Sequence, residues 1–69
     1  MKDGIFLKEM GSKIKAERLA NKHSLRELGL LVGLHLTSLW FIESGKRDIH
    51  ILNLKKIADV YKKDVKDFL

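Results

Sequence analysis

The most constraining feature of the sequence is a pair of short helical patterns that meet at Gly33. Ser24 can cap the first of them, because its hydroxyl can accept from the backbone N–H of Glu27 while the Glu27 carboxylate reaches back to the N–H of Ser24. The apolar residues that follow at helical spacing are Leu28, Leu31 and Val32. Glycine readily adopts the positive φ of a helix C-cap, so this pattern predicts a helix over 25–32 that ends at Gly33.

The second pattern begins at His35 or Leu36 and ends at Gly45 by the same device. Leu39 and Ile42, three residues apart, are its expected buried pair, and they predict a helix over 36–44. Two helices joined by so tight a turn form a helix-turn-helix, a motif whose second helix can enter the major groove of DNA.

The rest of the chain is expected to pack around this motif. Phe6, Met10 and Ile14 recur every four residues in a first helix, and Asp64 can cap a short last one. No alternating pattern typical of a strand is visible. The sequence therefore predicts an all-α fold, a compact five-helix bundle in a single domain over 1–69. The five predicted helices are 5–20, 25–32, 36–44, 51–61 and 65–68.

The length of the chain makes its stability marginal. A chain of 69 residues buries little more than about 60% of its unfolded surface. It has no cysteine, so neither a disulfide nor a thiolate-bound metal can contribute. Helix packing or dimerisation therefore has to supply the stability that a small core lacks. Val65, Phe68 and Leu69 are more apolar than a frayed chain end requires. They either close the core or face a second copy of the chain in a homodimer.

The charge of the chain is basic, with a formal net charge of +5. Such a balance points to a polyanion such as nucleic acid, an acidic protein or an anionic membrane, although a merely solubilising surface explains it equally well. No apolar run approaches the ~20 residues that a membrane span needs. The acidic residues near the N-terminus do not fit a secretory signal, so we expect a cytoplasmic protein without membrane contact.

Enzymatic chemistry is not indicated by any motif in the sequence. His23, His35 and His50 lie far apart and lack the spacing of metal ligands. No Gly-rich phosphate loop and no nucleophile motif is present. The sequence therefore predicts neither an enzyme nor a metal site nor a cofactor.

A set of short segments at fixed distances from one another carries a family resemblance. These segments are 15–19, 24–28, 33–35, 42–47 and 54–58. The most specific one is the run Ile-Glu-Ser-Gly-Lys-Arg over 42–47. On these residues the chain from Ile14 to Leu69 resembles the Cro/C1-type helix-turn-helix family, which contains phage repressors, restriction-modification controller proteins and many small bacterial regulators. Some of its repressors are standard examples of the motif.

The resemblance implies a transcriptional regulator that binds double-stranded DNA as a dimer. It implies a structural ion pair between Arg18 and Glu43, contacts to phosphate from Lys46, Arg47 and Arg26, and reading of bases by the helix over 36–44. A twofold dimer would recognise a palindromic site. The residues expected at the DNA are Arg26, His35, Leu36, Thr37, Ser38, Trp40, Phe41, Lys46 and Arg47.

The expected reading helix departs from the family pattern. Its outward positions usually carry Arg, Gln, Ser or Asn, which hydrogen-bond to base edges. Here they carry Leu36, Thr37, Trp40 and Phe41, of which only Thr37 offers a hydroxyl. These side chains can still touch thymine methyl groups, which would favour an A/T-leaning site. The alternative is a protein-interaction module on the same fold, in which Leu36, Trp40 and Phe41 contact a protein partner.

Overall fold

The fold consists of four α-helices followed by a single turn of 3-10 helix, in a computed structural model that describes residues 2–69. The helices are α1 (Lys2–Ala20), α2 (Leu25–Val32), α3 (Leu36–Glu43) and α4 (Ile51–Val60), and the C-terminal 3-10 turn is Val65–Phe68. No β-strand occurs among these residues. The prediction of an all-α fold is confirmed, whereas the predicted count of five helices is wrong.

The C-terminal element is too short for an α-helix. Its hydrogen bonds span three residues: Asp67 N–H donates to the Asp64 carbonyl at 2.9 Å, and Leu69 N–H donates to the Lys66 carbonyl at 3.2 Å. Asp67 also accepts from the Asp64 N–H through its carboxylate at 2.9 Å. Short 3-10 turns of this kind are common at the termini of α-helices and as connectors, and they extend over only a few residues.

The turn between α2 and α3 forms as the sequence predicts. Glu27 N–H donates to the Ser24 hydroxyl at 3.0 Å, and Ser24 N–H donates to the Glu27 carboxylate at 2.8 Å, which completes the capping box. Gly33 has a φ of 73° and caps the end of α2. The two helices are bent by 109° at this turn, within the range of a helix-turn-helix.

The helices end in a recurring backbone motif. At the end of α3, Gly45 has a φ of 73°, and Lys46 N–H donates to the Phe41 carbonyl at 2.9 Å. This is a Schellman motif, which satisfies carbonyl groups at the last turn of the helix. Lys22 and Lys62, with φ values of 57° and 56°, take the left-handed position after α1 and α4. These two positions are strained, since a side chain disfavours that conformation.

Two histidines cap helices in place of the usual hydroxyl or carboxylate side chains. His35 Nδ1 accepts from the Thr37 N–H at 3.1 Å at the start of α3, and His50 Nδ1 accepts from the Leu52 N–H at 3.2 Å at the start of α4. The caps satisfy one free backbone N–H in each helix. Both imidazoles are consequently tied to helix ends.

The core lies where α1 and α4 cover the α2–α3 pair. Its largest fully buried side chains are Ile14, Leu28, Leu39, Leu54 and Ile57. Two expected core residues are instead exposed: Phe6 by 47% and Leu31 by 55%. Phe6 precedes the part of α1 that meets the other helices. The next residue, Leu7, is partly buried and packs against the core.

The first helix touches the end of α3 almost backbone to backbone. A side chain at Gly11 would collide with the carbonyl oxygens of Ile42 and Glu43. A side chain at Gly45 would collide with the backbone of Lys8. This close crossing fixes the end of α3, and the turn that follows it, relative to α1.

The apolar chain end closes the core of its own molecule. Phe68 is only 2% exposed, and Val65 is half-buried against the core. Lys13 Nζ donates to the Leu69 carbonyl at 2.9 Å, which ties the end to α1. Of the two alternatives left open by the sequence, Phe68 takes the first, since it closes the core of its own molecule and is not available to a second copy. Among the three residues, only Leu69 is exposed.

Membrane spanning is not a property of any single described helix, none of which is long and apolar enough. Only α2 and α3 taken together reach the required length and hydropathy, and they are the two helices bent at Gly33.

Candidate nucleic-acid interface

The outer side of α3 carries no charged side chain and is largely apolar. Its inner side buries Leu39 and Ile42, while Thr37 and Trp40 are exposed and three further side chains are half-buried. Those three are Leu36, Ser38 and Phe41. This division follows from the rotation of 100° per residue along a helix. The apolar surface predicted for the outer side of α3 is therefore present in the structure.

The single ionisable side chain of α3 is buried in an ion pair with α1. Arg18 Nε donates to Glu43 Oε2 at 2.8 Å and Arg18 Nη2 donates to Glu43 Oε1 at 3.0 Å. Arg18 Nη1 donates to the His23 carbonyl at 2.8 Å. The hydrogen bonds to Glu43 hold the pKa of Arg18 above its ordinary value. Two parallel bonds in a shielded place give this pair a defined geometry and orient α3.

The network around the ion pair extends to α4. His23 Nδ1 lies 3.0 Å from the Tyr61 hydroxyl, and their ring centroids are 5.7 Å apart. Tyr61 is buried, and this burial raises the pKa of its hydroxyl. The network thus joins α1, the α1–α2 turn, α3 and α4, so the exposed side of α3 rests on a rigid support.

Two aromatic rings on α3 carry two cations from the following turn. Lys46 Nζ lies 5.1 Å from the centroid of the Trp40 ring, and Arg47 Cζ lies 5.0 Å from the centroid of the Phe41 ring. The two rings meet edge to face, with centroids 5.1 Å apart and an interplanar angle of 83°. We call these four residues the aromatic–cation cluster. Distances within about 6 Å are those of cation–π interactions.

The cluster is tied to the first half of α3 by a hydrogen bond. Arg47 Nη1 donates to the Ser38 hydroxyl at 3.2 Å. Trp40 remains 46% exposed, and both cations are exposed. The cluster therefore presents positive charge and aromatic surface side by side. In nucleic-acid-binding proteins, cations contact the phosphates and aromatic side chains contact the bases.

A second group of expected site residues lies at the start of α3. Arg26 from α2 lines a shallow depression of about 130 Å³ together with apolar residues and His35. The apolar lining residues are Leu30, Leu34 and Leu36. Arg26 is exposed, so its cation lies beside the beginning of the apolar surface of α3. The expected residues thus form two groups that α3 connects.

One cation beside this surface is missing from the sequence-based set. Lys15 on α1 lines a depression of about 230 Å³ that also includes Ser12 and Trp40. Lys15 is exposed and lies one helical turn before Arg18, on the part of α1 that faces the end of α3. Because Arg18 was expected to pair with Glu43 of α3, the position of Lys15 one turn earlier could have identified it as a cation near α3.

Comparison with known proteins finds matches to both the sequence and the fold. A family model described as "Helix-turn-helix" (HTH_3) matches residues 14–68. The fold is similar to that of the restriction-modification controller protein C.AhdI from Aeromonas hydrophila, with a TM-score of 0.90, 22% identity and 100% of both chains covered. It is also similar to an HTH_3 family transcriptional regulator from Vibrio cholerae, with a TM-score of 0.85 and 27% identity. That match covers 96% of this chain and 37% of the Vibrio chain. No curated protein matches the sequence significantly.

Proposed function

Since the chain belongs to the Cro/C1-type helix-turn-helix family of DNA-binding transcription regulators, we propose that it recognises a specific duplex sequence through α3. The observation that carries the proposal is the aromatic–cation cluster, in which Lys46 lies over the exposed ring of Trp40 and Arg47 over the half-buried ring of Phe41. Cations beside an exposed helix provide the phosphate contacts that position such a helix on DNA.

The proposed division of labour follows from the chemistry of each side chain. Lys46, Arg47 and Arg26 neutralise phosphates, and Lys15 adds a further cation next to Trp40. The residues that face base and sugar edges are His35, Leu36, Thr37, Ser38, Trp40 and Phe41. In bacteria such a protein works in the cytoplasm, where the DNA is.

A homodimer on a palindromic operator is the expected assembly. In such a dimer the two α3 helices would lie in successive major grooves on one face of the duplex, about 34 Å apart. Leu69, which is 49% exposed, is the expected interface residue that remains accessible.

Selection from random duplexes tests this function. We expect the wild-type protein to enrich one palindromic sequence with two half-sites about one helical turn apart. A matched variant that lacks both turn cations, K46Q/R47Q, should enrich little, because it loses two phosphate contacts. Failure of the wild-type protein to enrich any sequence would contradict the proposal.

A second candidate function rests on the exposure of Trp40. Exposed tryptophan side chains are common anchors of protein interfaces. In this alternative α3 contacts a protein partner, and the basic surface provides only solubility or non-specific attraction to DNA. Replacing Trp40 with Arg separates the two functions. Loss of a protein complex together with a gain in DNA affinity favours the second function, whereas loss of specific DNA binding favours the first.

A further inference from the structure

The exposed side of α3 has few polar atoms left for reading base edges. The carboxylate of Glu43 is buried in its ion pair with Arg18. The hydroxyl of Ser38 already accepts from Arg47. The remaining polar side-chain groups of the helix are the hydroxyl of Thr37, the O–H donor of Ser38 and the indole N–H of Trp40. The bidentate hydrogen bonds by which Arg, Asn or Gln select a base cannot be made by this helix.

The apolar surface of α3 can still discriminate between bases. In the major groove the apolar group on a base edge is the C5-methyl group of a pyrimidine. Trp40 is 46% exposed, and Phe41 meets it edge to face with centroids 5.1 Å apart. The pair forms a ring surface on the outer side of α3, and covering such a surface with an apolar group of a base removes both from water, which is favourable.

The cations hold this ring surface in position. Lys46 lies over Trp40 and Arg47 over Phe41, so each ring is oriented by a charge that a phosphate attracts. Binding of the two cations to the DNA backbone would therefore place both rings in the groove, close to base edges.

On the strength of the proposed function, we propose that α3 reads the C5-methyl groups of pyrimidines in the major groove, with Trp40 and Phe41 as the contacting side chains. Two bases carry this group: thymine, and cytosine methylated at C5. Their methyl groups occupy equivalent places on the pyrimidine edge, so one ring surface serves both. The specificity of the protein would then lie in the presence or absence of methyl groups.

The test compares duplexes that differ only in these methyl groups. The duplex enriched from random sequences is prepared in three forms: unchanged, with deoxyuridine in place of every thymidine, and with 5-methylcytosine in place of every cytosine. The affinity of the wild-type protein is measured for each by fluorescence anisotropy. Burial of one methyl group corresponds to about a fourfold change in Kd, so two contacted methyl groups give about fifteenfold.

Two variants assign any effect to the rings. W40A should lose most of the difference between thymidine and deoxyuridine duplexes. R26Q is the matched control: it weakens binding to both duplexes while it keeps their ratio, because it removes a phosphate contact from a cation that lies over neither ring. An equal loss of the ratio in both variants would contradict the assignment to Trp40.

The outcomes separate this inference from the proposed function. Weaker binding to the deoxyuridine duplex supports methyl reading of thymine, and tighter binding to the 5-methylcytosine duplex supports methyl reading of modified cytosine. Equal affinity for all three duplexes, with tight and sequence-specific binding retained, overturns methyl reading and leaves the regulator function standing. Absence of binding to every duplex overturns both.

Discussion

Arg18 and Glu43 are 25 residues apart in the chain, and their side chains form two parallel hydrogen bonds of 2.8 and 3.0 Å in a buried place. Arg18 belongs to α1, whereas Glu43 is the last residue of α3. The pair therefore connects a helix that supports the fold to the helix that we propose reads DNA. Its geometry decides where Trp40 and the turn after α3 lie.

Breaking this pair should strongly destabilise the protein. In E43Q the buried guanidinium of Arg18 loses its charge partner, and we expect a loss of about 3–5 kcal/mol in the free energy of unfolding, measured by urea denaturation. The matched control is D59N, which breaks the exposed pair of Lys55 and Asp59 and should cost under about 0.5 kcal/mol. Equal costs in the two variants would show that the buried pair is not a structural element.

Two glycines of α1 should respond to alanine in opposite ways. Gly4 has no atom within 4 Å of an added Cβ, so G4A should stabilise the helix by up to about 1 kcal/mol through its higher helix propensity. Gly11 touches the carbonyl groups of Ile42 and Glu43, so G11A should cost about 1–3 kcal/mol. Thermal unfolding followed by circular dichroism measures both. A stabilising G11A would contradict the close crossing of α1 and α3.

The strained lysines offer a way to stabilise the protein. Replacing Lys62, with its φ of 56°, by Gly relieves a side-chain clash and should add about 0.5–1 kcal/mol to the free energy of unfolding, after the higher chain entropy of glycine is offset. The converse variant G33A should cost about 1 kcal/mol, since nothing lies near its added Cβ and only the backbone is strained. Chemical denaturation of both variants checks the sign, and a destabilising K62G would refute the prediction.

The capping box of α2 should make stability depend on pH in the acidic range. The N–H of Ser24 and then its hydroxyl hold the pKa of Glu27 below its ordinary value. Because the folded pKa is the lower one, the stabilisation is present above the unfolded value of about 4.3 and is lost as the pH falls through the folded value. The stability advantage of wild type over E27Q should thus be largest at neutral pH and shrink below about pH 4. An advantage independent of pH would contradict the charged capping box.

Local rules predicted the parts of the fold that depend on neighbouring residues. The capping box of Ser24 and Glu27 and the turn at Gly33 follow from chemistry within a few residues, and the structure contains both. The pairing of Arg18 with Glu43 was implied only by the family resemblance, since periodicity does not say which faces of distant helices meet. Lys15 was missed because its own spacing gives no sign of α3, although its place one turn before Arg18 could have shown it.

Tertiary geometry decides what helical spacing could not. The four-residue spacing of Phe6 with Met10 places them on one face of α1, but it cannot say where the other helices stop covering that face. An apolar side chain such as Phe68 suits both a core and a dimer interface. Only the fold of the C-terminal turn decides which of the two it occupies. The contact of Arg47 with Phe41 depends on the conformation of the turn at Gly45, which brings the cations back onto α3.

The salt dependence of duplex binding tests most directly whether the aromatic–cation cluster grips DNA. Anisotropy titrations of the enriched duplex between ~50 and ~200 mM salt give the slope of log Kd against log salt concentration. We predict a steep slope for the wild-type protein, reduced by about two in K46Q/R47Q, because each lost phosphate contact lowers it by about one. A wild-type affinity that does not change with salt, or a slope that the double variant leaves unaltered, would contradict the role of Lys46 and Arg47.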